Sequence, residues 1–298
     1  MKTMIQKLQK RYAMMRKHPL TQHSPLSALG RYVYFNGLMY ISKSYRYRWI
    51  QGLQLEVQKG DAGIVGNIYY GLYEFSESMF LLHFLRAEDH FLDVGANLGH
   101  FSLLAAGITQ CTTTTIEPVP ITFTKLQRQI ALNGLQDRIQ ALRCGVGSEN
   151  GSLYFSTDRT VMNRVVTENY PNAVQVEVIT LDNLTTDLPI RLLKMDVEGY
   201  EYQALQGANE LLKNPSLNAV IMELNDSGKT FGIEDQTLVD LLASNGFSAF
   251  SYDPFTRKLL PLENYNRSQF NTIFIRNVPL VETRLKTAMP ITIFNQSI

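Results

Sequence analysis

Short apolar runs alternate with amphipathic segments from His90 to the end of the chain. The apolar runs predict strands at His90–Val94, Thr112–Glu117, Ile139–Arg143, Leu192–Asp196 and Ala219–Glu223. The segments between them repeat at helical spacing and predict helices at Phe101–Ala106, Ile121–Asn133, Tyr200–Lys213 and Asp235–Ser244. Strands that alternate with helices indicate an α/β fold, a mostly parallel sheet with helices on both faces. Such sheets bind their ligands beyond the carboxyl ends of the strands.

Two pairs of strands depart from this alternation. A polar insert between the third and fourth strands contains alternating segments that predict strands at Gly151–Ser156 and Val174–Thr180. Near the end of the chain, Ala249–Tyr252 and Thr272–Ile275 predict a final antiparallel pair.

The segment before the alternating region has a pattern of its own. Helical spacing predicts one or two helices up to about residue 48, broken near His18-Pro19 and Ser24-Pro25. Alternation over Leu53–Val57, a turn at Lys59–Asp61 and an apolar segment over Ile64–Tyr70 predict a hairpin. We therefore expect a helical and hairpin extension before the sheet.

Charge is distributed unevenly along this chain, whose net charge is +1. The first acidic residue is Glu56, and the basic residues before it are Lys2, Lys7, Lys10, Arg11, Arg16, Lys17, Arg31, Lys43, Arg46 and Arg48. Such a basic arm packs on its own domain or on a second subunit, contacts an anionic membrane surface, or binds nucleic acid. We favour packing, with a homodimer as one form of it, keep peripheral membrane contact open, and expect no nucleic acid partner.

Composition narrows the protein class. Hydrophobic residues make up 45% of the chain and charged residues 18%, which is typical of a globular protein with a core. Two cysteines, Cys111 and Cys144, lie in apolar runs and indicate buried thiols rather than a disulfide framework or a metal cluster. The sequence shows no secretory signal and no apolar stretch of about 18 residues. We expect a cytoplasmic protein without a spanning helix.

The turn after the first strand of the sheet, in "FLDVGANLGHFS", is rich in glycine. Gly95 and Gly99 fit a nucleotide-binding turn, but Asn97 occupies the place of the middle glycine that lets backbone approach a pyrophosphate. Asp93 precedes the turn, and a carboxylate there repels phosphate but attracts a ligand that carries an ammonium and a sulfonium. The turn therefore favours S-adenosylmethionine over NAD.

Acidic residues also end the next strands. Glu117, 22 positions after Gly95, ends the second strand, where a carboxylate accepts hydrogen bonds from both ribose hydroxyls of a nucleoside. Asp196 and Glu198 follow the fourth strand and face a common cleft as general base, metal ligand or substrate anchor. No His/Cys cluster supports a transition metal, and we expect none. Helix capping explains Glu201 better than Asp196.

A second candidate base is His100, at the start of the first helix of the alternating region. A helix N-terminus disfavours the imidazolium, so the ring stays neutral and able to accept a proton. Packing beside the cofactor is the alternative for this residue.

The motifs "FLDVGANLGHFS", "IEPVPITFTKLQRQIALNGL", "VITLDNL", "LLKMDVEGYEYQALQGANELL" and "VIMELN" occur in order at the expected spacing. Together they resemble the FkbM-type methyltransferases, a branch of the class I enzymes that use S-adenosylmethionine. The resemblance covers about Tyr73 to Arg276, and "YGLYEFSE" adds Glu74 to it. One departure is His100, where this family commonly carries an aromatic residue such as Tyr.

The resemblance implies a Rossmann-like, seven-stranded sheet whose last strand is antiparallel. It divides the chain into an extension over residues 1–72 and a methyltransferase domain over residues 73–298. The donor would lie over Asp93, Gly95, Asn97, Gly99 and Asp196. Its ribose would lie on Glu117, and its adenine near Gly145 and Val146.

Family members mostly methylate oxygen, often a hydroxyl of a sugar or natural product, which makes a small-molecule or glycan acceptor the expected substrate. Asp196 and Glu198 are then the first candidate bases. Two alternatives from other classes stay open: an NAD-linked oxidoreductase, and a nonenzymatic binding protein that uses its basic arm. The sequence identifies neither the acceptor nor the methylated atom.

Overall fold

The computed structural model describes residues 4–157 and 164–298. The chain divides into two compact units, one of Met1–Phe75 with Pro290–Ile298 and one of Ser76–Met289. The smaller unit therefore includes both the predicted extension and the last nine residues of the chain, which the sequence pattern did not associate with it.

The smaller unit is helical with a short strand pair. Its elements are α1 (Met4–Lys17), α2 (Pro25–Ile41), β1 (Tyr45–Arg48), β2 (Gln54–Val57) and α3 (Ala62–Tyr70). The predicted helices and their break before Pro25 are confirmed. A small antiparallel pair, Thr292–Ile293 with Gln296–Ser297, belongs to the same unit.

The predicted hairpin has a different partner from the one expected. β2 pairs antiparallel with β1, which precedes it, whereas the expected return strand is helix α3. Ile64 and Ile68 are buried one helical turn apart, and the Asp61 carboxylate accepts a hydrogen bond from the Gln58 N–H at 2.8 Å, where the helix begins. The prediction is wrong because a short apolar run fits a buried helix as well as a strand.

The larger unit is an α/β fold. Its strands are β3 (His90–Val94), β4 (Thr112–Ile116), β5 (Ile139–Leu142), β6 (Gly145–Val146), β7 (Gly151–Phe155), β8 (Val165–Val166), β9 (Val174–Ile179), β10 (Ile190–Met195), β11 (Ala219–Glu223), β12 (Ser248–Asp253), β13 (Lys258–Pro261) and β14 (Asn271–Ile275). Its helices are α4 (Phe75–Phe84), α5 (His100–Leu104), α6 (Pro120–Leu132), α7 (Leu181–Thr185), α8 (Glu201–Gln206), α9 (Asn209–Lys213), α10 (Asp235–Ser244) and α11 (Val278–Thr287).

The main sheet has eight strands in the order β13-β12-β14-β11-β10-β3-β4-β5. The five strands from β11 to β5 are parallel, and β14 runs antiparallel between β11 and β12. This confirms the predicted α/β class and the antiparallel final strand. The sequence did not predict β13, a largely exposed edge strand that extends the sheet by one.

The insert forms a second sheet in the order β6-β9-β7-β8. Two of its strands confirm the predicted segments at Gly151–Phe155 and Val174–Ile179. Residues 158–163 of the insert lie outside the described part of the chain.

Burial of the parallel strands positions the site. All of β3 and all but one residue of β10 are buried, as expected of strands covered on both faces. The apolar core continues through Val220, Met222 and the helices that cover them. Because β3, β4, β10 and β11 are parallel, the residues that follow them meet at one edge of the sheet.

Candidate active site

An open cavity of about 660 Å³ lies at the carboxyl ends of β3, β4 and β10. Its lining includes residues predicted to bind the donor or to act on the acceptor, namely Gly95, Asn97, Glu117, Gly145, Val146, Asp196 and Glu198. The structure thus brings together residues that are up to 103 positions apart in the chain, between Gly95 and Glu198. The strand order reverses beside β3, and α/β sheets bind ligands at such a reversal.

The glycine turn contacts the end of β10 through backbone alone. Gly95 has φ +78°, and a Cβ built on it would lie 1.8 Å from the backbone oxygen of Asp196. Only glycine satisfies both the left-handed backbone and this approach. The contact therefore holds the glycine turn against the segment that contains Asp196, and both contain residues of the predicted site.

Asn97 carries a buried polar group that no described residue satisfies. Its backbone is left-handed at φ +52°, a conformation that asparagine tolerates better than most residues. Its Oδ1 is buried and has no hydrogen-bond partner among the described residues. Since Asn97 lines the cavity, this oxygen is available to a ligand that carries a donor such as an ammonium or a hydroxyl.

Glu117 is held in place by backbone donors. Its Oε2 accepts from the Asn97 N–H at 3.1 Å and its Oε1 from the Val119 N–H at 2.9 Å. The side chain is buried, and burial raises the pKa of Glu117 to about 8 despite these two hydrogen bonds. The carboxyl group is therefore positioned at the edge of the cavity before any ligand contributes.

Asp196 belongs to a charged group that the sequence revealed only in part. Its Oδ2 lies 3.3 Å from the Nζ of the buried Lys194, two residues earlier in the chain. On its other side, Asp196 shares a side-chain hydrogen bond with Glu223, at the end of β11. Burial first, and then the charge of Asp196, raise the pKa of Glu223. The raised pKa favours the protonated form of Glu223 beside Asp196.

The loop after Asp196 places Glu198 at the cavity. Glu198 has φ +54°, a strained backbone for a residue other than glycine. The Glu201 carboxylate stabilises this loop by accepting from the N–H groups of Val197 at 3.0 Å and Gly199 at 3.3 Å. Burial and the charge of Asp196 raise the pKa of Glu198 to about 7. The helix that follows has Tyr200 at its N-cap and no side-chain capping bond, so Glu201 holds the preceding loop rather than capping the helix as expected.

Four of the predicted site residues, Asp93, Gly99, His100 and Glu74, lie outside the lining of this cavity. The Asp93 carboxylate is buried and accepts a hydrogen bond from the Ser102 hydroxyl. Gly99 packs against Leu126 instead. The Nε2 of the buried His100 lies 2.7 Å from the Ser78 hydroxyl, and burial lowers the pKa of His100 to about 3.

The neutral imidazole expected of His100 agrees with this pKa, while its role as a base stays a prediction. Glu74 belongs to the smaller unit, directly before α4, and its part in cofactor binding also stays a prediction.

Several lining residues escaped the sequence prediction. Phe155 and Tyr200 add aromatic surface to the cavity, and Val119 and Thr122 add the start of α6. A ring that faces a cleft cannot be distinguished from a core aromatic by spacing alone. For Glu223 a signal existed, because it ends the strand in the motif "VIMELN" as Glu117 and Asp196 end theirs.

Within residues 4–157 and 164–298, no group of three or more His, Cys, Asp or Glu side chains is arranged to hold a metal ion. Across the same residues, no helix has both the length and the apolar character needed to cross a bilayer.

Comparison with known families decides between the readings of this site. The family model of the methyltransferase FkbM domain matches residues 93–249, more than half of the chain. The protein belongs to the FkbM methyltransferase family. The match includes the glycine turn, Glu117 and the loop with Asp196 and Glu198.

Two relatives of this chain are named as methyltransferases. Methyltransferase 1 of Beauveria bassiana is 32% identical over 192 residues, which cover 54% of this chain and 73% of the relative. The hexuronic acid methyltransferase AglP of Haloferax volcanii is 25% identical over 55% of this chain and 65% of its own length. Among solved structures, an rRNA methylase from Streptococcus thermophilus covers 66% of this chain and 91% of its own, with 14% identity and a TM-score of 0.36.

Family membership confirms the resemblance inferred from the motifs and the prediction of a methyltransferase. FkbM enzymes use S-adenosylmethionine, so the predicted cofactor is confirmed as well. Membership of a methyltransferase family argues against the oxidoreductase and nonenzymatic alternatives. Family membership does not identify the acceptor atom that receives the methyl group.

Proposed function

We propose that this FkbM methyltransferase transfers the methyl group of S-adenosylmethionine to a hydroxyl of a small molecule or glycan. The observation that carries the proposal is one cavity whose lining combines a bare glycine turn with three carboxyl groups, Glu117, Asp196 and Glu198. A cationic donor fits such a lining, and a hydroxyl acceptor benefits from a base within it.

The residues of the cavity fit the donor. Gly95 holds the turn against the Asp196 carbonyl at the cavity, and the Oδ1 of Asn97, which has no partner among the described residues, provides an acceptor for one of the donor's N–H or O–H groups. In this proposal Glu117 accepts from the ribose hydroxyls, and Gly145 and Val146 border the adenine, because all three residues line the cavity. When bound, S-adenosylmethionine supplies a methyl group on a positively charged sulfur.

Charge supports the same assignment. The pKa values of Glu117, about 8, and Glu198, about 7, are raised mainly by burial. A positive charge in the cavity favours the ionised form of both groups and lowers these values. The cavity therefore attracts a cation and gains carboxylates when one binds.

Proton acceptance from the hydroxyl falls to the loop after β10. Glu198 lines the cavity, and a pKa of about 7 suits a general base at neutral pH. Asp196 is the second candidate, since it lines the cavity and the neighbouring Lys194 cation favours its ionised form. His100 is less suited because its ring nitrogen is engaged with Ser78.

The acceptor class is supported by a relative. AglP is named for methylation of a hexuronic acid, a sugar with free hydroxyls. Glycosides and uronic acids are therefore the acceptors to test first.

The test is methyl transfer from labelled donor to a panel of such acceptors, with the product analysed by mass spectrometry. We expect a gain of one methyl on oxygen, and turnover that rises with pH as Glu198 loses its proton, with a midpoint below about 7 because the bound donor lowers the pKa of Glu198. Glu198→Gln and Asp196→Asn should lower turnover by about 10²-fold or more, with little change in donor affinity.

The matched control is Glu210→Gln, a change to a surface carboxylate whose side chain is 78% exposed. It should leave turnover unchanged. Methylation of nitrogen or carbon across the whole panel, or wild-type turnover in both acid variants, would refute the proposal.

A further inference from the structure

Helix α2 is apolar on both of its faces. Its buried face carries Ala28, Phe35 and Met39. Its one charged residue, Arg31, is half-buried and donates from Nε and Nη2 to the Ile68 and Tyr69 carbonyls at 2.7–3.2 Å. A helix that is hydrophobic all round is normally covered all round, yet one face of α2 is exposed.

The exposed face of α2 contains a continuous uncharged stripe. We call it the α2 stripe, and it consists of Leu26, Gly30, Val33, Tyr34, Gly37, Tyr40 and Ile41. At 100° per residue these positions fall within an arc of about 120°. Leu26 is 72% exposed and Ile41 86%, while nothing lies within 4 Å of a Cβ built on Gly30 or Gly37. Isolated exposed apolar residues need no explanation, but an aligned row marks an interaction surface.

The surroundings of the α2 stripe are basic. Helix α1 packs against α2 and exposes the cations Lys7, Lys10, Arg16 and Lys17. Lys43 follows α2 directly and is also exposed, and the first acidic residue of the chain is Glu56. An apolar row with tyrosines, accompanied by exposed cations, complements the headgroup region of an anionic bilayer.

We propose that the α2 stripe lies on an anionic phospholipid surface, with its apolar side chains at the boundary between headgroups and acyl chains. Tyr34 and Tyr40 suit this depth because tyrosine favours the interface between membrane and water. The cations of α1 add attraction to the negative surface potential of such a membrane. A helix of 17 residues that contains Arg31 lies along the surface rather than across the bilayer.

A second copy of the chain is the rival occupant. Two copies joined through the α2 stripe would bring their acid-free basic segments together, and like charges oppose such an interface. An anionic lipid surface satisfies the apolar stripe and the cations at once.

The test is co-sedimentation of the full chain with vesicles. The probes are phosphatidylcholine vesicles and vesicles in which about one third of the lipid is phosphatidylserine. We expect binding to the anionic vesicles, at least tenfold weaker binding to the neutral ones, and loss of binding at high salt. The double variant Val33→Glu/Ile41→Glu should bind anionic vesicles at least tenfold more weakly.

The control is Phe255→Glu/Leu260→Glu, which places the same charges on exposed apolar residues of the larger unit. It should bind as the wild type does, and unchanged circular dichroism should show that both double variants fold. Equal binding of wild type and Val33→Glu/Ile41→Glu, or no binding by wild type, would overturn the proposal. So would a dimer of the wild type, detected by light scattering without vesicles, that this variant abolishes.

Discussion

At the scale of single residues, the site depends on a backbone contact that a side chain would prevent. Replacing Gly95 by Ala places a Cβ against the Asp196 carbonyl oxygen in addition to straining a left-handed backbone. We expect Gly95→Ala to lower the free energy of unfolding by about 3 kcal/mol or more, measured by urea denaturation.

Gly134→Ala is the matched control. Gly134 has φ +65°, and nothing lies within 4 Å of the Cβ position. Strain alone then costs about 1 kcal/mol. If both variants lost the same unfolding free energy, the close contact between the turn and β10 would not contribute to stability.

Glu117 couples the site to the stability of the free protein. Its pKa is raised from 4.5 to about 8, so the folded state holds this proton more tightly than the unfolded state does. The stability that follows is present below the unfolded value and is lost as pH rises through about 8. Glu117→Gln lacks this titrating group. We therefore expect the variant to gain stability relative to wild type as pH rises from 4.5 to about 8, measured by thermal melts at several pH values. A difference that does not change with pH would contradict the raised pKa.

Sequence reasoning at this scale succeeded where position along a strand determines direction. Glu117 and Asp196 were identified because each follows a predicted strand, and both line the cavity. Asp93 has the same kind of neighbourhood, yet its carboxylate contacts Ser102 because strand residues alternate in direction. The contact between Asp196 and Glu223 joins neighbouring strands, and no spacing in the sequence encodes it.

At the scale of elements, the loop between β10 and α8 carries the candidate bases, and Glu201 stabilises it. Both N–H groups that Glu201 satisfies donate to the same oxygen, Oε1. Glu201→Ala leaves two donors without this acceptor, and we expect it to lower the unfolding free energy by about 1–3 kcal/mol in urea denaturation.

Glu201→Gln keeps an oxygen at that position and should lose less than half as much. An equal loss in both variants would show that the charge, rather than the two hydrogen bonds, stabilises the loop. Glu210→Ala, a surface change with no such bonds to the loop, should stay within about 0.5 kcal/mol of wild type.

The elements themselves were predictable wherever apolar runs were bounded by clear turn signals. β3, β11 and α10 agree with their predicted bounds residue for residue. The predicted helix over Tyr200–Lys213 is instead divided into α8 and α9 at Gly207, where a Cβ would lie 2.1 Å from the Gly147 oxygen. A close approach of this kind comes from tertiary packing and leaves no trace in helical periodicity.

At the scale of the whole molecule, the chain combines two chemically different units. The unit of Ser76–Met289 contains the acid-lined cavity, and the other unit contains the acid-free basic segment and the α2 stripe. Sequence patterning predicted this contrast in charge. It did not predict that residues 290–298 belong to the N-terminal unit. Local sequence patterns do not show which distant segments of a chain contact each other.

The central claim is that the cavity beyond β3, β4 and β10 holds the S-adenosyl nucleoside through Glu117. Isothermal titration of S-adenosylhomocysteine tests it most directly, with wild type, Glu117→Ala and the surface variant Glu210→Ala measured side by side and NAD as the competing ligand. A hydrogen bond to a charged group contributes about 1.5–3 kcal/mol, so we expect roughly 10- to 100-fold weaker binding by Glu117→Ala alone. NAD should not bind. Wild-type affinity in Glu117→Ala, or binding of NAD without S-adenosylhomocysteine, would contradict the account.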